Sequence, residues 1–185
     1  TFFFFPAALQ STKLKQKKEK SKNDIIMGAD PFGIALKDAV KSALLEDGFN
    51  VIDITGKRKQ NYFDAAQEVG SAVSDGKCAF GFLFCGTGAG VSIVANKFMG
   101  VNCVLCECEE TARLSRIINN ANILAMGGMV VSPYMGVKMA RAFLKAKFSK
   151  GLAGVDPNFL KAAVKRVREI EELVVERNYK SLKGK

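Results

Sequence analysis

The chain has 185 residues, of which 48% are hydrophobic, and its 28 Lys and Arg against 18 Asp and Glu give a net charge of +10. This length and composition suit one domain of about 100–150 residues with extensions, and they exclude wholesale disorder. The chain contains no His, which excludes Ser-His-Asp triads, Cys-His pairs, histidine zinc sites and histidine proton transfer.

Residues 1–23 differ in composition from the rest of the chain. After a short apolar start, residues 11–23 hold six Lys against one Glu, which is typical of a solvated, disordered tail. A basic segment poor in acids ahead of a globular domain is also typical of an organellar targeting remnant. The composition therefore favours a plastid or mitochondrial location, with the cytoplasm as the alternative.

From residue 24 onward, short apolar runs alternate with amphipathic segments. The runs predict strands, and the segments between them, with apolar residues at three- and four-residue spacing, predict helices. This alternation implies a parallel sheet covered on both faces, so the fold class is α/β, a Rossmann-like three-layer sandwich with five strands. Strands are predicted at 25–27, 51–54, 79–85, 101–106 and 123–126, and helices at 33–46, 63–73, 91–97, 109–118 and 134–148.

A last amphipathic helix is predicted over residues 158–177. Its apolar stripe consists of Leu160, Val164, Val167, Ile170 and Val174. The helix packs either on its own domain or on a partner subunit, and the pattern leaves both open. We divide the chain into a basic tail at 1–23, a domain at 24–154 and a C-terminal helical extension at 155–185.

The five cysteines are an odd number, which favours reduced thiols in a core over a disulfide framework. Cys103, Cys106 and Cys108 crowd one segment, but in an extended strand Cys103 faces opposite to Cys106, and no second cluster completes a metal site. We therefore expect no metal and no cofactor. No apolar run approaches the roughly 18 residues that span a bilayer, so no transmembrane segment is predicted.

Two strand ends carry residues suited to chemistry, because ligands of open α/β sheets bind at the carboxyl ends of the strands. Asp30 follows the first strand, and Cys85 ends the third, ahead of a glycine-rich turn at 86–90. The N–H groups of such a turn and the dipole of the next helix favour an anion and the thiolate form of Cys85. A thiolate there suits proton abstraction next to a carbonyl. Alternatively, Cys85 is a small buried hydrophobe and the glycines only form a tight turn.

Three segments together help to decide whether Cys85 has a chemical role or is only a small buried hydrophobe. They are GADPFG at 28–33, CGTGAG at 85–90 with ANK at 95–97, and RL at 113–114 running on to NNAN at 119–122. In this order they resemble the type B ribose-5-phosphate isomerases and the related galactose-6-phosphate isomerase subunits. A narrower resemblance is to the isomerase-like domain of plant DNA-damage-repair/toleration proteins, through GAD at 28–30 with FG at 32–33, LKDA at 36–39, CGTG at 85–88 and NKF at 96–98. The resemblance implies a Rossmann-like domain that dimerises, with each active site shared between two subunits.

The resemblance also implies roles for single residues. Cys85 corresponds to the base that moves the proton between C1 and C2 of the sugar. Thr87 and the N–H groups of the glycine-rich turn correspond to the groups that hold the enediolate. Asp30 and Asn119 match positions that contact sugar hydroxyls. The turn itself consists of Gly86, Thr87, Gly88, Ala89 and Gly90.

The chain departs from the family pattern at several positions. Pro31 stands where the family has His after the Asp, and Ile118 stands where it has the His that helps open the sugar ring. Met129 replaces an Arg that binds phosphate in many members, and residues 149–155 replace a Gly-Gly-Arg-His segment with further basic contacts. Neither Pro nor Ile can transfer a proton, and Met cannot form the charge-assisted hydrogen bonds that hold a phosphate.

These departures favour a protein of this fold with a degenerate active site, acting as a non-catalytic structural or binding subunit. The alternative is an active sugar-phosphate aldose–ketose isomerase that uses Cys85 as base on a divergent substrate. In that case cations late in the chain could replace the lost phosphate contacts, although such residues are more often solvated helix faces. They are Lys138, Arg141, Lys145, Lys147 and Lys150.

As partners we expect a second copy of the chain or the other subunits of a larger complex, and a sugar phosphate as ligand. A basic tail could instead bind nucleic acid. The tail lacks the interleaved aromatic residues of single-strand binders, and lysines alone provide only sequence-independent attraction. We therefore do not expect nucleic-acid binding.

Overall fold

The computed structural model describes residues 24–56 and 60–183, so the tail predicted at 1–23 lies outside the described residues. The described residues form an α/β domain, and the predicted fold class is confirmed. The strands are β1 (Asp24–Ala29), β2 (Asn50–Asp53), β3 (Phe80–Cys85), β4 (Cys103–Leu105) and β5 (Ile123–Gly127). The helices are α1 (Ile34–Glu46), α2 (Tyr62–Ser74), α3 (Ala89–Ala95), α4 (Glu109–Asn119), α5 (Pro133–Lys145) and α6 (Pro157–Lys183).

The strands form one parallel sheet in the order β2-β1-β3-β5-β4. From β1 the chain crosses to β2 on one side and then returns to β3 on the other side. The carboxyl ends of β1 and β3 therefore flank a switch point, where open α/β sheets bind their ligands. Ala29 pairs with Phe84, and Cys85 pairs with Gly127, so the ends of β1, β3 and β5 are level.

Two apolar cores lie on the two faces of the sheet because successive side chains of a strand point to opposite faces. Ile25 and Met27 of β1 join the core under α1, α4 and α5, whereas Ile26 joins the core under α2 and α3. The sheet is thus covered on both faces, which gives three layers. The central strands β3 and β5 are buried on both faces, as their continuous apolar runs predict.

Most element ends differ from the prediction by one to three residues, and the end of α6 differs by six. Two of these differences have clear local causes. α5 ends at Lys145 rather than at Phe148, because Ala146 is extended and the Ser149 N–H donates to the Ile117 carbonyl of α4 at 2.9 Å. This hydrogen bond folds the chain back before the helical pattern runs out. β4 begins at Cys103 rather than Val101, whose N–H closes a turn on Phe98.

An ion cluster joins α1 to the end of β2, next to the switch point. Lys37, only 3% exposed, lies 2.5 Å from Asp53, and Lys41 lies 2.9 Å from the same carboxylate. Asp53 also accepts the Thr55 N–H, and the Thr55 hydroxyl accepts the Ala29 N–H at 2.9 Å. The cluster therefore fixes the end of β1 from which the functional loop departs.

Ionisation of this cluster is coupled to folding. Burial alone would raise the pKa of Asp53, but the hydrogen bonds from Lys37 and Lys41 lower it to about 2. Burial opposes the charge on Lys37, but its bonds to Asp53 and Asp38 prevail and raise its pKa. Since the folded pKa of Asp53 lies below its ordinary value, this stabilisation is complete above about pH 4 and is lost as the pH falls toward 2.

We expect Asp53→Asn to lower the free energy of unfolding by about 2 kcal/mol at pH 7, because it removes this stabilisation and leaves Lys37 buried. The difference from wild type should shrink as the pH approaches 2. Urea unfolding at both pH values measures it. Asp75→Asn, which breaks an exposed pair with Lys77, is the control and should cost under about 0.5 kcal/mol. Equal losses in the free energy of unfolding in the two variants would contradict a stabilising role for the buried contacts of Asp53 with Lys37 and Lys41.

α6 contacts the domain chiefly through its first half. Leu160 is buried, and the Glu171 carboxylate accepts the Gly100 N–H at 2.9 and 3.0 Å. Five aliphatic side chains in the middle of the helix stay 44–55% exposed, namely Val167, Ile170, Leu173, Val174 and Val175. The predicted stripe therefore packs on its own domain at one end only.

Of the helices in the described part of the chain, none combines the length and apolar composition that crossing a bilayer demands.

Candidate active site

The Cys85 thiol lies at the switch point, at the carboxyl end of β3. It is 5% exposed, and its Sγ accepts a hydrogen bond from the Gly88 N–H at 3.0 Å. The glycine-rich turn thus folds back over the sulfur, as a loop between β3 and α3. A backbone donor at this distance provides the contact that a negatively charged sulfur requires.

The turn at 86–90, which we call the nest, presents further backbone donors. Within the described part of the chain, no acceptor takes the N–H groups of Gly86, Thr87 or Gly90. The Ala89 N–H bonds to the Thr87 Oγ1 at 3.3 Å, so the exposed Thr87 hydroxyl keeps its hydrogen for a ligand. Such convergent donors at the start of a helix suit an anion.

Close packing of loops holds the nest in place. The Gly128 and Met129 N–H groups donate to the Cys85 and Gly86 carbonyls at 2.8 and 2.9 Å, which joins the nest to the turn after β5. Gly88 has φ +80°, and a Cβ there would lie 2.5 Å from Leu105 Cδ1. Only glycine meets both requirements, the left-handed backbone and the lack of space.

Asp30 lies at the end of β1, beside the nest, as the sequence predicts. Its N–H donates to the Phe84 carbonyl at 3.1 Å, and its Oδ1 accepts the Phe32 and Gly33 N–H groups at 2.9 and 3.1 Å. One carboxylate oxygen is thereby used to shape the turn into α1. Oδ2 accepts no hydrogen bond from the described residues, so it is the atom suited to a substrate hydroxyl.

Three large side chains surround the nest, and of these the sequence marked only Met129, as a residue that cannot bind a phosphate. Met129 is 73% exposed, and its sulfur lies 3.1 Å from where a Gly86 Cβ would be; exposed Phe32 lies next to both. The Tyr62 ring, at the start of α2, packs on Gly90. Tyr62 has one sequence signal, an aromatic residue directly after a polar loop that follows a strand. Met129 and Phe32 make their part of the described rim apolar.

The remaining cysteines lie outside the nest, and none of the five forms a disulfide. Burial raises the pKa of Cys103 to about 12 and also raises the pKa of Cys106. These two thiols belong to the cores on opposite faces of the sheet, as predicted. Cys108 is exposed beside Thr111 at the start of α4. Within the described ranges, no three His, Cys, Asp or Glu side chains cluster as a metal site would need.

Within one copy of the protein, Asn119 does not lie beside the other predicted site residues. It ends α4, which runs back from the carboxyl edge of the sheet, so Asn119 lies at the amino edge near the start of β5. Cys85, the nest and Asp30 lie at the carboxyl edge. Ile118, the neighbour of Asn119, lies at the amino edge too. Within one copy, Asn119 and Cys85 are therefore at opposite ends of the domain.

The late cations that the sequence singled out fall into two groups. Lys138 pairs with Glu109 at 3.0 Å, and Arg141 pairs with Asp47 at 2.7 Å. The second group, Lys145, Lys147 and Lys150, forms no ion pair with any described residue and lies on one groove. Lys138 and Arg141 are paired because Glu109 and Asp47, from other parts of the chain, pack beside them. No described acidic residue does so for the second group.

Comparison with known proteins gives consistent matches. A family model described as Ribose/Galactose Isomerase matches residues 25–154. The 4-deoxy-4-sulfo-D-erythrose isomerase of Clostridium sp. (strain MSTE9) is 37% identical, over 81% of this chain and 96% of its own length. The D-erythrulose-4-phosphate isomerase of Pectobacterium atrosepticum is also 37% identical, over 69% of this chain and 86% of its own length.

A plant protein and a solved structure extend these matches. The DNA damage-repair/toleration protein DRT102 of Arabidopsis thaliana is 41% identical, over 67% of this chain and 40% of its own length. The structure of ribose-5-phosphate isomerase B from Clostridium thermocellum has a TM-score of 0.73 and 35% identity, covering 82% of this chain and 99% of that chain. The resemblance predicted from the sequence is confirmed.

Proposed function

Because the chain belongs to the ribose/galactose isomerase family, we propose that it is an aldose–ketose isomerase with Cys85 as its base. The observation that carries this proposal is the nest: the Gly88 N–H contacts the Cys85 sulfur at 3.0 Å, while neighbouring N–H groups stay available to a ligand. A proton acceptor and oxyanion donors thus converge on one point. This geometry favours the active isomerase over the non-catalytic subunit that the departures in sequence favoured.

The proposed reaction moves one hydrogen. The Cys85 thiolate takes the proton from C2 of the aldose, and the electrons of the C2–H bond form the C1=C2 bond of an enediolate. Negative charge develops on O1, where the N–H groups of the nest and the Thr87 hydroxyl stabilise it. The Cys85 thiol then returns the proton to C1, O2 becomes the carbonyl, and the proton of O2 ends on O1. Asp30 Oδ2 orients a sugar hydroxyl.

The missing ring-opening group points to the substrate class. Pro31 and Ile118 cannot protonate a ring oxygen, and the chain has no His. A four-carbon aldose whose C4 carries a phosphate or a sulfonate has no C4 hydroxyl with which to close a five-membered ring. It stays open-chain and needs no such group. Two relatives are named for four-carbon substrates of this kind, so we propose an open-chain tetrose with an anionic group at C4.

Turnover of erythrose 4-phosphate beside ribose 5-phosphate tests this function, with erythrulose 4-phosphate and ribulose 5-phosphate as the expected products. An enzyme that cannot open rings uses only the open-chain fraction of the pentose, so the tetrose should give the higher kcat/KM by about tenfold or more. A higher value for the pentose would contradict the substrate class. No turnover of either sugar, or of the 4-sulfo analogue, would contradict the isomerase.

The second candidate is the non-catalytic binding subunit. It is favoured by the apolar rim of the nest, where Met129 and Phe32 are 73% and 67% exposed and provide no charge for a phosphate. In this case the nest would hold a sugar without turning it over. Binding of erythrose 4-phosphate without any product would support it.

A second copy of this chain is the partner that we propose. Asn119 lies at the amino edge of the sheet, so it meets a nest only if another copy presents it. α6 also keeps Val167, Ile170 and Val174 about half exposed, beside a groove of about 570 Å³ against residues 96–102. An exposed apolar stripe of this kind is a surface for burial against a partner.

We expect the protein to have twice the mass of a 20.1 kDa chain by light scattering. Ile170→Glu with Val174→Glu should yield monomers, because burying two unpaired carboxylates in an interface is unfavourable. Ala162→Glu places the same charge at an exposed position of α6, roughly a quarter to a third of a turn away from Ile170 and Val174, and is the control. A dimer that survives the double substitution would exclude α6 from the interface.

An organellar location also stays a proposal, based on the basic composition of residues 11–23, with the cytoplasm as the alternative.

A further inference from the structure

Two apolar side chains stand beside the nest at the end where Cys85 lies. A Cβ on Gly86 would lie 3.1 Å from the Met129 sulfur and 3.7 Å from the Phe32 Cβ. The two side chains come from different loops, Phe32 from the turn after β1 and Met129 from the turn after β5. Both are mostly exposed, so neither is part of the domain core and both are accessible to a ligand of the nest. We call this pair the Met129–Phe32 wall.

Backbone contacts hold the wall in place. The Met129 N–H donates to the Gly86 carbonyl at 2.9 Å, and the Phe32 N–H donates to the Asp30 Oδ1 at 2.9 Å. Gly128 packs so closely on the Phe32 carbonyl oxygen that no Cβ would fit between them. The turns after β1 and β5 are therefore locked together, and the wall stands beside the nest before any ligand arrives.

A sugar on the nest meets this wall with the carbons beyond its carbonyl end. Met129 packs on Gly86, the residue after Cys85. Phe32 follows Asp30 by two residues in the same turn. In the proposed reaction Cys85 reaches C1 and C2 while Asp30 orients a hydroxyl, so polar groups hold the carbonyl end. The wall offers the next carbon no comparable group, because a phenyl ring cannot accept or donate a conventional hydrogen bond and a thioether is only a weak acceptor.

We propose that the Met129–Phe32 wall determines the length of the substrate. It accepts the C4 methylene of a tetrose with an anionic group at C4, and it disfavours the C4 hydroxyl of a pentose or hexose phosphate. A hydroxyl that loses water against an apolar wall without gaining a partner weakens binding by about tenfold or more. This inference rests on the proposed function and deepens it, because it gives a reason for a four-carbon substrate that does not depend on ring opening.

Erythritol 4-phosphate and ribitol 5-phosphate isolate the effect of the wall. Neither has a carbonyl, so neither closes a ring or is turned over, and the two differ by one CHOH unit while carrying the same phosphate. Calorimetry on the full chain should show that wild type binds the four-carbon compound about tenfold or more tightly than the five-carbon compound. Equal affinities would overturn the proposal, whether or not the protein is an isomerase, and so would the failure of both compounds to bind.

Met129→Gln tests whether the wall causes this preference. Gln has the length of Met, and its amide can pair with a C4 hydroxyl, so the variant should reduce the preference by about tenfold. Val130→Gln is the matched control, since Val130 is the exposed neighbour of Met129 in the same turn, and it should keep the preference of wild type. A preference that persists in Met129→Gln would overturn the role of the wall.

Kinetics separate this inference from the proposed function. The ratio of kcat/KM for erythrose 4-phosphate to kcat/KM for ribose 5-phosphate should fall by about tenfold in Met129→Gln relative to wild type. Ring opening affects both proteins equally and so cancels in this comparison. An unchanged ratio would overturn the wall as the determinant of specificity. If neither sugar is turned over, the isomerase proposal fails, and the affinities for the two polyol phosphates still decide on the wall.

Discussion

Cys85→Ala is expected to reduce isomerisation by about a hundred- to ten-thousandfold, the usual contribution of a general base. The variant should fold, because Ala fits the space of the buried thiol and only the sulfur contact with the Gly88 N–H is lost. Exchange of the C2 hydrogen of the sugar with solvent deuterium measures the step directly, alongside turnover of erythrose 4-phosphate. Both should fall together if Cys85 is the base.

Cys103→Ala is the matched control for the loss of a buried thiol. Cys103 belongs to the same core as Cys85, but burial raises its pKa to about 12, so it stays protonated at neutral pH. This variant should keep its activity while losing a similar amount of stability. Full exchange of the C2 hydrogen in Cys85→Ala would show that another group removes the proton and would overturn the proposed mechanism.

Gly88→Ala is expected to lower the free energy of unfolding by about 3 kcal/mol and to impair catalysis as well. The residue has φ +80°, and the added Cβ would lie 2.5 Å from Leu105 Cδ1 and 2.9 Å from the Met126 carbonyl carbon. β5 cannot retreat because it is paired on both sides. The nest must therefore move, and the hydrogen bond to the Cys85 sulfur is lost with it.

Gly48→Ala separates the effect of backbone strain at a left-handed residue from the effect of a collision of the added Cβ. Gly48 has φ +85°, and an added Cβ would meet nothing within 4 Å, so this variant has the backbone strain without the collision. We expect it to cost about 1 kcal/mol and to leave turnover unchanged. Urea unfolding and erythrose 4-phosphate kinetics on both variants measure the difference. Equal losses of stability in the two would show that the space around Gly88 is not restrictive.

Local patterns determined most of the secondary structure. The strands and helices were recognisable because apolar spacing depends on which side of an element is buried. Errors are confined to element ends, where a contact from another element decides. α5 stops at Lys145 since the Ile117 carbonyl of α4 captures the Ser149 N–H, and no pattern within residues 134–148 contains that information.

For the site, the sequence alone indicated the residues that are close along the chain. Cys85 and the turn at 86–90 are consecutive, so their proximity requires only that a strand end and a helix begin there. Asp30 joins them because the carboxyl ends of parallel strands meet at one edge. The contact of Tyr62 with Gly90 could not be predicted, because it depends on how α2 packs beside α3.

The sequence by itself determined the fold class, the missing histidine chemistry and the nest with its thiol. Only the tertiary structure decided that β5 lies between β3 and β4 and that Asn119 is at the far edge from Cys85. It also decided which cations pair with an acidic residue and which do not. Arg141 is neutralised by Asp47, 94 residues away, whereas Lys147 and Lys150 meet no described acid. The physical reason is that hydrophobic periodicity is a local property. Strand order and charge pairing depend on contacts between distant segments, which form only when the chain packs.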